Sequence, residues 1–350
     1  MNPSSSRQQH QKLFAWVAIG CIALAAGYTI WVILRAGPGA VQGPTIPQLP
    51  VAGPAELQAI QSEPHMIFLH WAEPDYGQVA LSGLDPKTSV SMQTDLQCDR
   101  VYYAAGNGLC LLYDTSTAAN EPLAPIPVGM TLFGSDFKPR HQFTEKGIPS
   151  RTRISPDGKY AAYTVFLTGH GYLDINMTTA TIILDTATGQ SLGNLEEFAT
   201  WKDGQRFQAP EFNFWGVTFA QDSNQFYATL RQGFTTYLVQ GDVSARKLTV
   251  LRENVECPSL SPDGTRIAFK KLVEGQWQLT VLHLDTMTET MLAESDAIDD
   301  QVEWLDNEHI LYQKDDFDPP YLASVFVVPA DGSGKPEVFL PNATSPVVVR

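Results

Sequence analysis

Positive charge and cysteine are both scarce in this 350-residue chain, and the short motifs of catalysis are missing. Lys and Arg number 23 against 38 Asp and Glu, a net charge of −15. Arg7, Lys12 and Arg35 all fall in the first 35 residues, which hold no acid, so the rest carries 20 basic against 38 acidic residues. Such a surface repels a phosphate backbone, which excludes a nucleic-acid partner and reads most simply as solubility. The cysteines are at 21, 98, 110 and 257, with no Cys-x-x-Cys and no zinc spacing. Cys98 and Cys110 can pair only in an exported domain. A hairpin turning at Gly106-Asn107-Gly108 sets Cys110 opposite about residue 104, which argues against that pairing.

No Gly-x-Ser-x-Gly elbow is present, which excludes the hydrolase domain that such an elbow serves. No His-Glu-x-x-His occurs among seven histidines. Gly332-Ser333-Gly334-Lys335-Pro336 lacks the first glycine spacing and the following Ser/Thr of a phosphate loop, and reads as a hairpin turn. Two acidic stretches, Asp296-Ala297-Ile298-Asp299-Asp300 and Asp315-Asp316-Phe317-Asp318, lack the Gly and terminal Glu of an EF-hand loop. They read as solvated loops, or as a contact surface for a basic partner. Catalytic residues, metal and cofactor are therefore all expected to be none.

What the chain has begins with Leu13 to Leu34, 22 residues without a charge. That is long enough to span a bilayer, and Trp16, Tyr28 and Trp31 lie toward its ends, where interfacial aromatics belong. The run is longer than a signal-peptide core, although Ala36-Gly37-Pro38-Gly39-Ala40 offers a cleavage site. A lipidated Cys21 fits poorly, because the apolar run continues well past it. The expected organisation is a cytoplasmic tail (1–12), a transmembrane signal anchor or signal peptide (13–34), a Pro/Gly-rich extended linker (35–61) and a domain at 62–350. That domain is placed outside the cytoplasm, in a periplasm or extracellular space.

The domain repeats. Ile154-Ser155-Pro156-Asp157-Gly158-Lys159-Tyr160-Ala161-Ala162-Tyr163 returns as Leu260-Ser261-Pro262-Asp263-Gly264-Thr265-Arg266-Ile267-Ala268-Phe269. Pro sets φ at the first corner, Asp can bond the backbone ahead, and Gly accepts φ > 0, so each reads as strand, tight turn, strand. Weaker copies sit at 219–227 and 304–312. The aspartates at 222, 263 and 306 are 41 and 43 residues apart, the length of one four-stranded propeller blade. Six units are expected. Each joins two apolar strands: 66–70 with 79–85, 101–103 with 109–114, 160–166 with 181–189, 226–230 with 237–242, 267–269 with 279–285, and 310–312 with 325–332. The step from Asp157 to Asp222 is 65, so an insertion is expected around 194–212. The fold class read from this pattern is all-β, a six-bladed β-propeller preceded by one transmembrane helix.

The Ser-Pro-Asp-Gly hairpin followed by a Leu-Asp-Thr turn resembles the TolB-type, WD40-like propeller repeat, best at 154–189 and 260–289. The resemblance covers about residues 62–348. It implies a periplasmic six-bladed propeller that works by binding envelope proteins. The chain departs from the TolB pattern in one respect: no small α/β domain fits between Leu34 and Ser62.

Candidate binding residues lie where the repeat is broken. The segment Glu196 to Trp215 is rich in aromatics, among them Trp201, Phe207, Phe212 and Trp215, and reads either as side chains packed between blades three and four or as a long loop over one propeller face. Asp315, Asp316 and Asp318 form the second candidate surface. Pro156, Asp157, Gly158, Pro262, Asp263 and Gly264 read as turn chemistry. The function expected is that of a non-enzymatic, membrane-anchored, monomeric scaffold for an envelope or extracellular protein partner. The alternatives are an enzyme working in the central funnel (glycan lyase, glycosidase or lactonase) and a carbohydrate-binding sensor.

Overall fold

The computed structural model describes residues 48–113, 127–169, 171–172, 174, 176–316 and 322–350. The expected tail and membrane span lie outside the described residues. Among the described residues no helix is long and apolar enough to cross a membrane.

Helix α1 (Pro54–Gln61) comes first, followed by strands that form six sheets. Blade 1 contains β1 (His65–His70), β2 (Gln78–Gly83) and β3 (Met92–Gln97). Blade 2 contains β4 (Arg100–Ala104), β5 (Asn107–Tyr113), β6 (Pro127–Gly134) and β7 (Pro139–Lys146). Blade 3 contains β8 (Ile148–Ile154), β9 (Tyr160–Thr168), β10 (Thr178–Asp185) and β11 (Ser191–Asn194). The insertion then supplies β12 (Ala199–Lys202) and β13 (Gln205–Arg206). Blade 4 follows with β14 (Phe212–Phe219), β15 (Gln225–Gln232), β16 (Thr235–Asp242) and β17 (Lys247–Glu253). Blade 5 contains β18 (Glu256–Leu260), β19 (Arg266–Val273), β20 (Gln276–His283) and β21 (Glu289–Met291). Blade 6 contains β22 (Glu303–Trp304), β23 (His309–Asp316), β24 (Leu322–Pro329) and β25 (Glu337–Leu340). The last strand, β26 (Ala343–Val349), returns to blade 1 and pairs with β1, placing Met66 opposite Val348. Both ends of the propeller therefore meet in one sheet, which closes the ring without an open inner edge.

Burial follows the ring. The central strands are hidden on both faces, as in β1 and β14, whereas the outer strand β7 is largely exposed. Stacking neighbouring sheets face to face buries the apolar side chains that a lone blade would leave in water. The repeated hairpins do a second job here. Gly158 and Gly264 have φ of 74° and 71°, the left-handed region their turn requires. In blade 4 the same place is taken by Ser223 at φ 59°. Its hydroxyl accepts from the backbone N–H of Asp157 (3.2 Å), and the Asn307 side chain accepts from that of Asp263 (3.1 Å). The turns of blades 3 and 5 thus grip the turns of blades 4 and 6.

The structure differs from the sequence reading at four places. The strands at 101–103 and 109–113 are the first and second of blade 2, and the turn between them falls at Ala105-Gly106 and not at Gly106-Asn107-Gly108. That register sets Cys110 opposite Val101, and Cys98 and Cys110 are disulfide-bonded. Residues 54–61 are helical, not extended: Pro54 opens the helix, and Leu57 and Ile60 pack on the core of blades 1 and 2. The insertion does not arch over a face. It forms a hairpin whose strand β12 runs parallel to β17, widening blade 4 to six strands.

Candidate functional site

The innermost strands β4, β8, β14, β18, β22 and β26 all run the same way around the axis. Their first residues therefore gather on one face of the ring and their last residues on the other, beside the hairpins. The axis is polar. Arg153 of β8 reaches across it to Glu303 of β22, Nη1 to Oε2 at 2.6 Å, and both side chains are under 10 % exposed. Its Nη2 also donates to Ser259 Oγ (3.0 Å) and to the Val302 carbonyl (3.1 Å). The guanidinium lies 4.4 Å from the ring centroid of Tyr102, whose hydroxyl is 3.4 Å from both Glu303 oxygens. One arginine therefore joins blades 2, 3, 5 and 6. Gln301 adds blade 4, donating to the carbonyls of Val217 (3.1 Å) and Pro258 (2.8 Å). Burial pushes the Tyr102 phenol up to about 12, with Arg153 pulling the other way.

On the face where the inner strands begin, charges crowd together. Lys270 is fully buried, ion-paired with Asp299 and 3.8 Å from the Trp277 ring centroid. Arg151 lies 3.9 Å from the same carboxylate. Burial opposes ionisation of Asp299, but Lys270 and Arg151 together hold it below the usual carboxylate range. Asp300 and Glu256 go the other way. Burial raises both, and is only partly offset by Arg151 and Arg100 for the first and by Lys270 for the second.

At the hairpin face the axis opens into a cavity of about 290 Å³, floored by Arg153, Glu303 and Tyr102. Phe219, Leu260 and Val348 contribute apolar wall, and Gln221 and Pro262 lie at its rim. Arg153, Thr218, Ser259 and Glu303 occupy the same place in their repeats, two residues before the hairpin begins.

The residues singled out from sequence fall in several places. Trp201 is half-buried on the outer sheet of blade 4, directly opposite Arg206 and diagonal to Lys247. The two cations sit 6.0 and 5.9 Å from its ring centroid. Phe207 and Phe212 pack on each other at 5.0 Å and line a shallow hollow of about 440 Å³ with Phe198, Glu196 and Arg206. Trp215 is not at the surface. It is fully buried in β14 and stacks on Tyr172 at 4.7 Å. The alternating strand around it places Phe214 and Trp215 on opposite faces of a sheet covered on both sides, so Trp215 is core packing. Asp315 is exposed at the end of β23, and Asp316 pairs in register with Leu322. Asp318 lies outside the described residues. The acids at 296–300 are met by cations, Asp296 by Lys314 and Asp299 by Lys270. Among the described residues no group of three or more His, Cys, Asp or Glu is placed to hold a metal ion.

Sequence reasoning missed Arg153, Glu303, Arg151 and Lys270. A signal was available. Arg151 and Arg153 alternate in Ile148–Ile154, and alternate residues of a strand share one face. A strand leading into a propeller hairpin is the innermost, so that face looks down the axis.

No family model matches the sequence, and no curated protein matches it. Solved structures do. TolB from Acinetobacter baumannii superposes with a TM-score of 0.55 at 13% identity, over 82% of this chain and 66% of that one. The chain thus spans slightly under two thirds of that TolB's length. A chain of a nidogen/laminin complex superposes with a TM-score of 0.51 at 10% identity, over 82% of this chain and 98% of that one. A TolB described as putative, from Agrobacterium tumefaciens, gives 0.47 at 13% identity over 79% of this chain and 88% of that one. At such identities the likeness concerns architecture, and the chain has the six-bladed β-propeller fold that TolB also has.

Proposed function

We propose that the chain is a non-enzymatic, extracytoplasmic propeller, anchored through residues 13–34, that binds a protein partner at the outer edge of blade 4. The observation that carries this reading is Trp201. It lies on an open sheet face between Arg206 and Lys247, two exposed cations with no carboxylate partner among the described residues. Interface energy concentrates on such Trp and Arg side chains, and here they sit on an insertion that departs from the repeat. The Cys98–Cys110 disulfide supports placement in an oxidising compartment.

The test is site-specific photo-cross-linking of the full chain in its native cells, from position 201 and, as a control, from exposed Val338 on blade 6. A discrete protein adduct from 201 alone, lost in R206E/K247E, is expected. No adduct from 201 in a chain that is folded by circular dichroism would overturn the reading. The enzyme alternative rests on the axial cavity. Turnover of a glycoside, oligouronide or lactone by the purified chain would favour it.

A further inference from the structure

We infer that the partner bound at the outer edge of blade 4 presents an acidic extended strand, with two carboxylates four residues apart and an aliphatic side chain midway between them. The inference rests on the reading of that edge as a protein-binding surface and adds the chemistry of what docks there. Three observations carry it. The first is alignment. Trp201 and Arg206 are directly opposed across the hairpin of β12 and β13. Across the parallel pair of β12 and β17, Trp201 is level with Thr249 and Ala199 with Lys247. Residues two apart in a strand share a face, so Lys247, Trp201 and Arg206 form a diagonal row on one side of the sheet. The two cations lie 5.9 and 6.0 Å from the indole centroid, and so stand at most about 12 Å apart.

The second observation is free charge. Lys202 and Arg246, the other cations of this rim, are satisfied within the blade, by Glu253 at 3.2 Å and by Glu197 at 2.8 Å. Arg206 is exposed and makes one long contact, from Nη1 to the Thr200 carbonyl at 3.4 Å. Lys247 is exposed too. The acid opposite it in register, Asp242, is engaged by its own turn and accepts from the Ser244 hydroxyl and the Ala245 N–H. The third observation is contrast. The chain carries a net charge of −15, so an acidic strand is repelled by the surface as a whole and attracted to this row. Such complementarity fixes where a partner docks more than how tightly. The face is open sheet without a concave pocket, which suits an extended segment better than a small molecule. An extended strand advances about 3.3 Å per residue with alternate side chains on one side, so residues i and i+4 are about 13 Å apart. That separation spans the two cations and sets residue i+2 over the indole.

The experiment is fluorescence anisotropy on the full chain in detergent micelles, with a dye-labelled peptide of core Glu-Ser-Leu-Ser-Glu as the probe. One control reorders the same residues as Glu-Glu-Ser-Leu-Ser, and a second replaces both Glu by Lys. The spaced acidic peptide is expected to bind saturably and at least 10-fold more tightly than either control. R206Q, K247Q and W201A should each weaken it at least 3-fold, in chains that still melt cooperatively. R206Q/K247Q should bring it down to the level of the reordered peptide. No saturable binding, equal binding of the two acidic peptides, or binding unchanged in R206Q/K247Q overturns the inference. Tighter binding of heparin, or of phosphatidylglycerol vesicles, than of the spaced peptide also overturns it. A cross-link from position 201 in cells, together with peptides that do not bind, removes the acidic strand and leaves the protein partner standing. Absence of both removes the two together.

Discussion

The ion pair across the axis makes the sharpest test of how this ring is held together. Replacing Glu303 with alanine leaves the Arg153 guanidinium buried, with only Ser259, a backbone carbonyl and the Tyr102 ring to offset its charge. Both side chains are almost wholly hidden, so solvent screening is slight. Breaking a buried pair from one side costs about 3–5 kcal/mol. Replacing both partners by apolar residues of similar volume is commonly neutral or even stabilising. We therefore expect E303A to lose about 3–5 kcal/mol in urea unfolding, and R153M/E303L to lie within about 1 kcal/mol of the parent. The double-mutant cycle E303A, R153A, R153A/E303A should return a coupling energy of about 2–3 kcal/mol, toward the upper end for residues in direct contact. The arginine ties four blades, so E303A should also raise the unfolding rate by loosening blades 2, 3, 5 and 6 together. An E303A variant within 1 kcal/mol of the parent, or an R153M/E303L variant as unstable as E303A, would refute the reasoning. Either result would mean that the pair is solvated through the axis and carries little energy.

Three further outcomes follow from named groups. The Cys98–Cys110 disulfide closes a short loop, with a sequence separation of 12, so C98A/C110A should lose about 3 kcal/mol on the chain-entropy estimate. Unchanged urea midpoints with and without reductant would contradict this. His65 and His70 are buried on the strand that closes the ring, and each has an Nε2 without a partner. Burial lowers both below 6.5, against the Glu63 carbonyl at His65 and Asp75 beside His70. The unfolded chain then takes up protons that the folded chain refuses. Stability is full above about pH 6.5 and declines below it, by at most about 1.4 kcal/mol per pH unit for each histidine. H65L/H70L should flatten that limb in urea melts at pH 7.5 and 5.5, and an unaltered slope would count against the assignment. At the hairpins, burial pushes Asp157 and Asp263 upward. The hydroxyls of Ser155 and Ser261 and the turn N–H groups outweigh it and hold both carboxylates low. Their contribution is therefore complete above about pH 3.8 and is lost as pH falls below that. D157N/D263N should shift the acid-unfolding midpoint toward that of a chain with ordinary carboxylates, as read by tryptophan fluorescence.

Much of the ring could be read in the sequence because its turns are local chemistry. Pro262-Asp263-Gly264 specifies a turn whatever surrounds it, and a turn recurring every 41 to 43 residues specifies a blade. Blade 2 has no such turn: Ala105-Gly106 carries no proline or aspartate, so local chemistry does not distinguish it from a turn one residue later at Gly106-Asn107-Gly108. The aromatic insertion does not announce its strands in the sequence, because β12 and β13 are four and two residues long, too short for periodicity to show. Their pairing with β17 is a non-local contact that no window of sequence contains. Trp201 and Trp215 are close in the chain but stand on β12 and β14, the outer and innermost parts of the blade 4 sheet, and only that placement makes one half-exposed and the other core.

The axis was the least legible part, and the reason bears on function. A symmetric repeat predicts that equivalent positions hold equivalent residues, yet the position two before the hairpin holds Arg153, Thr218, Ser259 and Glu303 in successive blades 3 to 6. The fold does not require that variety. Small hydroxyl residues at all four would close a ring just as well, and burying an arginine and a glutamate commonly gains no stability over apolar replacements. An asymmetric set of donors and acceptors at a symmetric position is what a ligand or a fixed blade order would need. The axial cavity is lined at that position by Arg153, Ser259 and Glu303. The departures from repetition therefore separate into two kinds. The insertion on blade 4 adds surface on the outside, where partners of any size can reach it. The substitutions at the inner position change charge and side-chain size at the axis, where they set the contacts between blades.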